Sequence, residues 1–141
     1  MRTEWTEETP LLTDYERHQA LLELDVLVAQ MLGMTCDQLV NIYRIQFPVF
    51  KAYEDDTWYD AKGRIVFSAK NMGDLIYKRP EFEKQIKNAA DGETFERSFI
   101  DKTASDVGEE RSITYYAPFD VCSREEDYCR AWDYFMEKYK K

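Results

Sequence analysis

The stretch LDVLVAQMLGMTCDQLVNIYRIQFPV, Leu24–Val49, decides the fold of this chain, because it reads as two helices folded over one glycine. Upstream, Thr13 and Glu16 in TDYE make a capping box in which each side chain satisfies the other residue's backbone N–H. That box opens a first helix running to about Leu32, and Gly33 is placed as its C-terminal stop. Thr35 and Gln38 in TCDQ form a second box, for a helix that ends near Gln46, ahead of Pro48. Residues 13–47 are therefore a helical hairpin with a very short turn.

The first helix is apolar around most of its circumference. At about 100° per residue, Leu21, Leu22, Leu24, Val26, Leu27, Val28, Ala29, Met31 and Leu32 leave only a stripe of Glu16, Gln19, Glu23 and Gln30. Packing on one core needs a narrower arc, so such a helix docks on two sides. Leu21, Leu24, Val28 and Met31 form the candidate second surface. Its expected partner is the terminal helix through Trp132 and Phe135, another copy of the chain, or a larger body. Left uncovered, it is a patch on the order of several hundred Å². Asp25 lies within the apolar arc and needs a partner, with Arg44 or a capping amide as the expected one.

Working outward, TWYDAKGRIVFSA carries a β-hairpin signature around DAKG. RPEFEKQIKNAADG reads as a short helix stopped by Gly92. ETFERSFID and RSITYYAPF alternate as strands joined by the polar KTASDVGEE. SREEDYCRAWDYFMEKYK is a helix capped by Ser123 with Glu126 at its third position, and Tyr128, Ala131, Trp132 and Phe135 as its apolar stripe. The expected fold class is α+β: an N-terminal helical hairpin, a small antiparallel sheet of about four strands and a C-terminal packing helix. Residues 1–12 are a polar tail. Residues 13–141 are a single domain, with the sheet region and its short helix over 57–119 and the last helix over 123–140.

Composition narrows the function. The chain has 141 residues, is 44% hydrophobic and carries a net charge of -9, which disfavours autonomous nucleic-acid binding because gripping phosphates needs Lys and Arg. Cys36, Cys122 and Cys129 are an odd, widely spaced set that suits a reducing compartment rather than a disulfide framework. The spacing of Cys122 and Cys129 fits neither a zinc knuckle nor a redox pair, so no metal ligands are expected. No apolar run is long enough to span a membrane and no signal peptide is read, so the expected location is cytoplasmic.

Several motifs have a plain structural alternative. With Ala29 as the small contact residue, Gly33 falls in the turn of a helix-turn-helix, and Leu39 and Ile42 fall at buried positions. The groove-facing residues would be Thr35, Cys36, Asp37, Val40 and Asn41, none of them Lys or Arg. Any tight helix pair shares that pattern. Asp60-Ala61-Lys62 has the acid-x-Lys spacing of metal-dependent nucleases, with Glu54, Asp55 or Asp56 as a second carboxylate, yet YDAKGR is also a hairpin turn with Gly63 in the left-handed region. His18, on the edge of the apolar arc, has no nucleophile in its sequence context and reads as packing. The glycines are too scattered to cradle phosphates. No catalytic, cofactor-binding or metal residue is identified.

Leu24–Val49 resembles the C-terminal region of large bacterial adenine-specific DNA methyltransferases, including fused type IIG restriction–modification enzymes and phage-defence methylases. YEDDTWYDAKGRIVF and ERSITYYAPFDVCSREEDYCRAW extend the likeness over most of residues 14–135, with a shorter segment at 69–91. The resemblance implies a terminal accessory domain whose parent protein uses S-adenosylmethionine. The parent's base-orienting Asn/Asp-Pro-Pro-Tyr/Phe motif is absent, since the prolines are Pro10, Pro48, Pro80 and Pro118. The chain by itself is thus expected to bind no cofactor and to catalyse nothing. Its expected role is to support target recognition or assembly, with the rest of a methyltransferase or a second copy as partner and DNA reached only through the larger protein. Lys62, Arg64, Lys70, Lys78 and Arg79, the densest basic stretch, are the candidate nucleic-acid contacts. A small helix-turn-helix regulator and an acidic inhibitor of a DNA-binding enzyme are the alternatives.

Overall fold

Thr13 and Thr35 cap the first two helices as the sequence indicates. The computed structural model describes residues 4, 6–70, 72–104 and 106–140. Helix α1 (Asp14–Met31) and helix α2 (Cys36–Gln46) each begin with a complete capping box, and Gly33 takes φ +74° in the turn between them. A third helix, α3 (Pro48–Asp55), follows at once, where FPVFKAYEDD carries no assigned element in the sequence reading. Its cause is local: Pro48 at the helix start presets φ and removes an N–H that would have had no partner.

Strands β1 (Thr57–Tyr59) and β2 (Ile65–Ser68) form the expected hairpin, antiparallel, with a register shift between Trp58 and Tyr59. A short helix α4 (Arg79–Glu81) runs into a π-helical turn, Phe82–Ile86. The helical segment therefore stops before Gly92, which instead takes φ +89° in the loop. Strands β3 (Thr94–Asp101) and β4 (Glu109–Tyr116) pair antiparallel along their full length, from Thr94↔Tyr116 to Asp101↔Glu109. Strand β5 (Asp120–Val121) and helix α5 (Arg124–Lys138) complete the order.

The fold class is α+β, with N-terminal and C-terminal helices around small antiparallel sheets. The single sheet of about four strands is corrected to two sheets: β2-β1-β5 and the separate ribbon β3-β4. Pro118 ends β4 because it has no N–H for a ladder, and the chain returns as β5 to pair with β1. The sheets are joined by hydrogen bonds: Ala61 N donates to Tyr116 O at 2.8 Å, and Tyr116 N to the Asp60 carboxylate at 3.2 Å.

Apolar burial occurs in two clusters. Leu22, Val26 and Ala29 of α1 meet Leu39, Val40 and Tyr43 of α2 and Tyr128 and Phe135 of α5. Val66, Phe67, Tyr77, Phe82, Ile86 and Tyr115 form the second cluster, around a Phe67–Phe82 ring stack. Two helix-turn-helix positions are exchanged relative to expectation: Ile42 is 41% exposed, whereas Val40 is buried. The reason is α5, which covers the face of α2 carrying Cys36 and Val40 and brings Cys129 Sγ to 3.2 Å from Cys36 Sγ.

Candidate functional site

A cation in the first turn of a helix opposes the helix dipole, so Arg124 directly after the Ser123 cap demands compensation. It receives it from two carboxylates. Arg124 Nε donates to Glu54 Oε1 and Oε2 at 2.9 and 2.8 Å, and Nη2 donates to Oε1 at 2.6 Å. Nη1 donates to Asp25 Oδ2 at 3.2 Å. The Tyr128 hydroxyl donates to the same Asp25 oxygen at 2.8 Å, and the Tyr43 hydroxyl to Glu54 Oε2 at 2.7 Å. The Arg124 side chain is 7% exposed, and its guanidinium also lies over the rings of Phe50, Tyr43 and Tyr128.

Asp25 is therefore partnered by Arg124 and Tyr128, not by Arg44, whose guanidinium instead grips Glu125 through two 2.7 Å bonds. Arg44 lies with Val40 and Asn41 on the side of α2 that faces α5, so it meets Glu125, while Arg124 and Tyr128 of α5 reach Asp25. Burial alone would lower the affinity of Arg124 for its proton, but the bonds to Glu54 and Tyr128 outweigh it and hold the group more firmly charged than usual. Burial pushes the Tyr128 hydroxyl up to about 12, and burial with the Glu54 bond pushes Tyr43 up as well. Both remain neutral donors. His18 Nδ1 lies 3.7 Å from Glu54 Oε1, and burial holds the imidazole below its ordinary titration range.

This cluster lines one end of an open apolar groove of about 690 Å³ between α1, α2 and α3. Leu24, Val28 and Leu32 come from α1 and its end, Ile42 from α2, and Phe47 and Phe50 from the α2–α3 junction. All six are exposed. Of the candidate docking residues, Leu24 and Val28 line the groove, while Leu21 and Met31 flank it on the same helix and are also exposed. The terminal helix does not cover them; its Phe135 is buried in the helical core instead, with Trp132 packed against it. One cation facing two carboxylates leaves the groove's polar end with a net negative charge, and Asp25 is half exposed there.

The remaining sequence candidates have separate places. Asp60 faces inward and holds the hairpin turn, accepting from Lys62 N at 3.0 Å and Arg64 N at 2.8 Å. The basic residues divide into two groups. Lys62 and Arg64 lie by the Tyr116 ring, and Arg64 bonds Thr114 O. Lys70, Lys78 and Arg79 line a shallow depression beside Phe67, where Arg79 pairs with Asp56. Arg124 is the central residue of the cluster, and no sequence motif marks it. Its only local signal was the unfavourable place of a cation at a helix start.

No protein-family model, curated protein or solved structure matches this chain.

Proposed function

We propose that this chain is a non-catalytic docking domain that attaches, through the α1–α3 groove, to an apolar helix of a larger DNA-modifying protein. The observation that carries this reading is the groove: six exposed apolar side chains on three helices, beside a half-exposed Asp25. Soluble monomers rarely leave such a surface bare. A helix lying in the groove would bury its apolar stripe there and set one Lys or Arg against Asp25. The resemblance to the C-terminal region of adenine-specific DNA methyltransferases names the parent body. S-adenosylmethionine and the chemistry of methyl transfer then belong to the parent, and the cytoplasm is the compartment. DNA binding by the helix-turn-helix is the weaker reading, because α5 covers Cys36 and Val40 on α2, and Arg44 is bound to Glu125.

The test is co-expression and co-purification with a bacterial adenine-specific DNA methyltransferase of the class that the resemblance indicates. The native chain is expected to elute with it, and Leu24→Glu together with Val28→Glu to elute alone while keeping native circular dichroism. A native chain that never associates overturns the proposal. Calorimetric titration of the isolated chain with S-adenosylmethionine is expected to give no heat of binding. DNA binding through Lys62, Arg64, Lys70, Lys78 and Arg79 is expected to be weak and to vanish steeply as salt rises. Tight, sequence-selective binding near physiological salt would promote the regulator instead.

A further inference from the structure

Away from the groove, on the other side of Glu54, three potential ligands from distant parts of the chain converge. His18 lies on α1, Cys122 between β5 and α5, and Asp127 on the first turn of α5; one donor atom of each lies within 4.8 Å of the others. We propose that His18, Cys122 and Asp127 form a binding site for a zinc-like divalent transition-metal ion.

The three donors, an imidazole nitrogen, a sulfur and a carboxylate oxygen, are the set that selects Zn²⁺-type ions over Mg²⁺ and Ca²⁺. A buried polar atom in a native fold normally has a partner, and His18 Nε2 is buried without one among the described residues, while its Nδ1 leans toward Glu54. That pattern matches a metal-bound histidine, in which the second nitrogen is oriented by a carboxylate. Asp127 is 6% exposed and held in place: Gln19 Nε2 donates to Oδ2 at 3.0 Å, and Arg130 Nη2 lies 2.9 Å from Oδ1. Each carboxylate oxygen has a second lone pair, so these bonds orient the group and leave it able to ligate.

Charge favours a cation here. The carboxylates of Asp127, Asp120 and Glu54 lie around Cys122, set against the guanidinium groups of Arg130 and Arg124. A Zn²⁺ ion would be neutralised by one thiolate and one carboxylate, with the thiol proton released to solvent on binding. Bond lengths of about 2.0–2.3 Å make the edges of a zinc tetrahedron roughly 3.5 Å, so the side chains would close by about an ångström around the ion. Cys122 lines two surface clefts, one shared with His18 and the other with Asp127, which give the ion a way in. Three protein ligands leave one coordination position for water. The ion would staple α1 to the start of α5, the two elements that also carry the Asp25–Arg124 contact.

The spacing of the cysteines hid this site, since its ligands are gathered by the α1–α5 packing and only one of them is a cysteine. The test is titration of the reduced, full chain with Co²⁺, using a phosphine reductant. One equivalent is expected to produce a sulfur-to-cobalt charge-transfer band that Zn²⁺ bleaches and excess Mg²⁺ leaves unchanged. The band is expected to persist in Cys36→Ser/Cys129→Ser and to be lost in Cys122→Ser. Gln19→Ala, which removes one of the two contacts that orient Asp127 without removing a ligand, is expected to weaken Co²⁺ binding about 10–100-fold. Absence of the band in the native chain overturns the proposal. So does its loss in Cys36→Ser/Cys129→Ser, its survival in a folded Cys122→Ser, or its displacement by Mg²⁺. Should Cys122→Ser not fold, the native chain and the double variant still decide.

Discussion

Arg124 grips Glu54 through two guanidinium nitrogens at 2.6–2.9 Å, and this pair ties the first turn of α5 to the last turn of α3. Asp25 completes the tie on α1. Three helices remote in sequence are thus fixed around one buried cation, which sets the polar end of the groove.

Removing one member should cost far more than removing both. Arg124→Met leaves Glu54 buried and uncompensated, with an expected loss of about 3–5 kcal/mol, whereas Arg124→Met with Glu54→Leu is expected to recover much of it. Urea unfolding of the two single variants and the double variant measures this as a coupling energy. Additive losses would mean that the pair is not energetically linked.

Neighbouring leucines of α1 should behave oppositely. Leu22 is fully buried, so Leu22→Ala is expected to cost about 2–5 kcal/mol. Leu24 is 57% exposed, so Leu24→Glu is expected to change stability by no more than about 0.5 kcal/mol. Chemical denaturation of both variants checks the contrast, and an unfolded Leu24→Glu would show that this face belongs to the core.

The two hairpin glycines separate conformational from steric cost. Gly33 and Gly63 both adopt positive φ, at +74° and +81°, but a Cβ at Gly33 meets nothing within 4 Å. At Gly63 it would lie 2.9 Å from Tyr15 Cβ. Gly33→Ala is expected to cost about 1–2 kcal/mol, the backbone term alone, and Gly63→Ala distinctly more. Melting temperatures of the two variants rank them.

Oxidised glutathione should cross-link Cys36 to Cys129, whose sulfurs are 3.2 Å apart, and release two equivalents of reduced glutathione per disulfide. The reaction is expected to be slow near neutral pH, because burial, with the Cys129 contact, pushes the Cys36 thiol up to about 12. Peptide mass mapping after alkylation should find Cys122 outside the disulfide. A disulfide through Cys122 would contradict the packing of α2 on α5.

Asp101 closes the β3–β4 connection by accepting from the hydroxyl and backbone N–H of Thr103, and it pairs with Arg111. The Thr103 bonds lower its titration below the ordinary carboxylate value of about 3.9. A depressed folded-state value means that its contribution is complete above the unfolded value and is lost as pH falls through the folded one. Carboxyl NMR titration should show Asp101 protonating below the exposed carboxylates, and Thr103→Ala should return it toward them.

The sequence by itself determined the local elements whose causes are local. Capping boxes at Thr13 and Thr35, the Ser123 cap, positive-φ glycines and period-two alternation each act within a few residues, so the helices, the β1–β2 hairpin and the β3–β4 ribbon were legible. So was an apolar arc on α1 too wide for one core. Helix α3 was missed because its apolar pattern spans only 8 residues and Pro48 reads equally as a stop or a start. What only the tertiary structure decided depends on contacts across the chain. Arg124 reaches Asp25 over 99 residues and Glu54 over 70, and Asp127 meets Gln19 over 108. No spacing rule encodes such pairs. They follow from where α5 comes to rest once Leu22, Val26, Val40, Tyr128 and Phe135 have left water together. The same docking chose which part of α1 stayed bare. Burial is a property of the assembled helices, and the sequence of α1, apolar over most of its circumference, does not single out which part of that arc is covered.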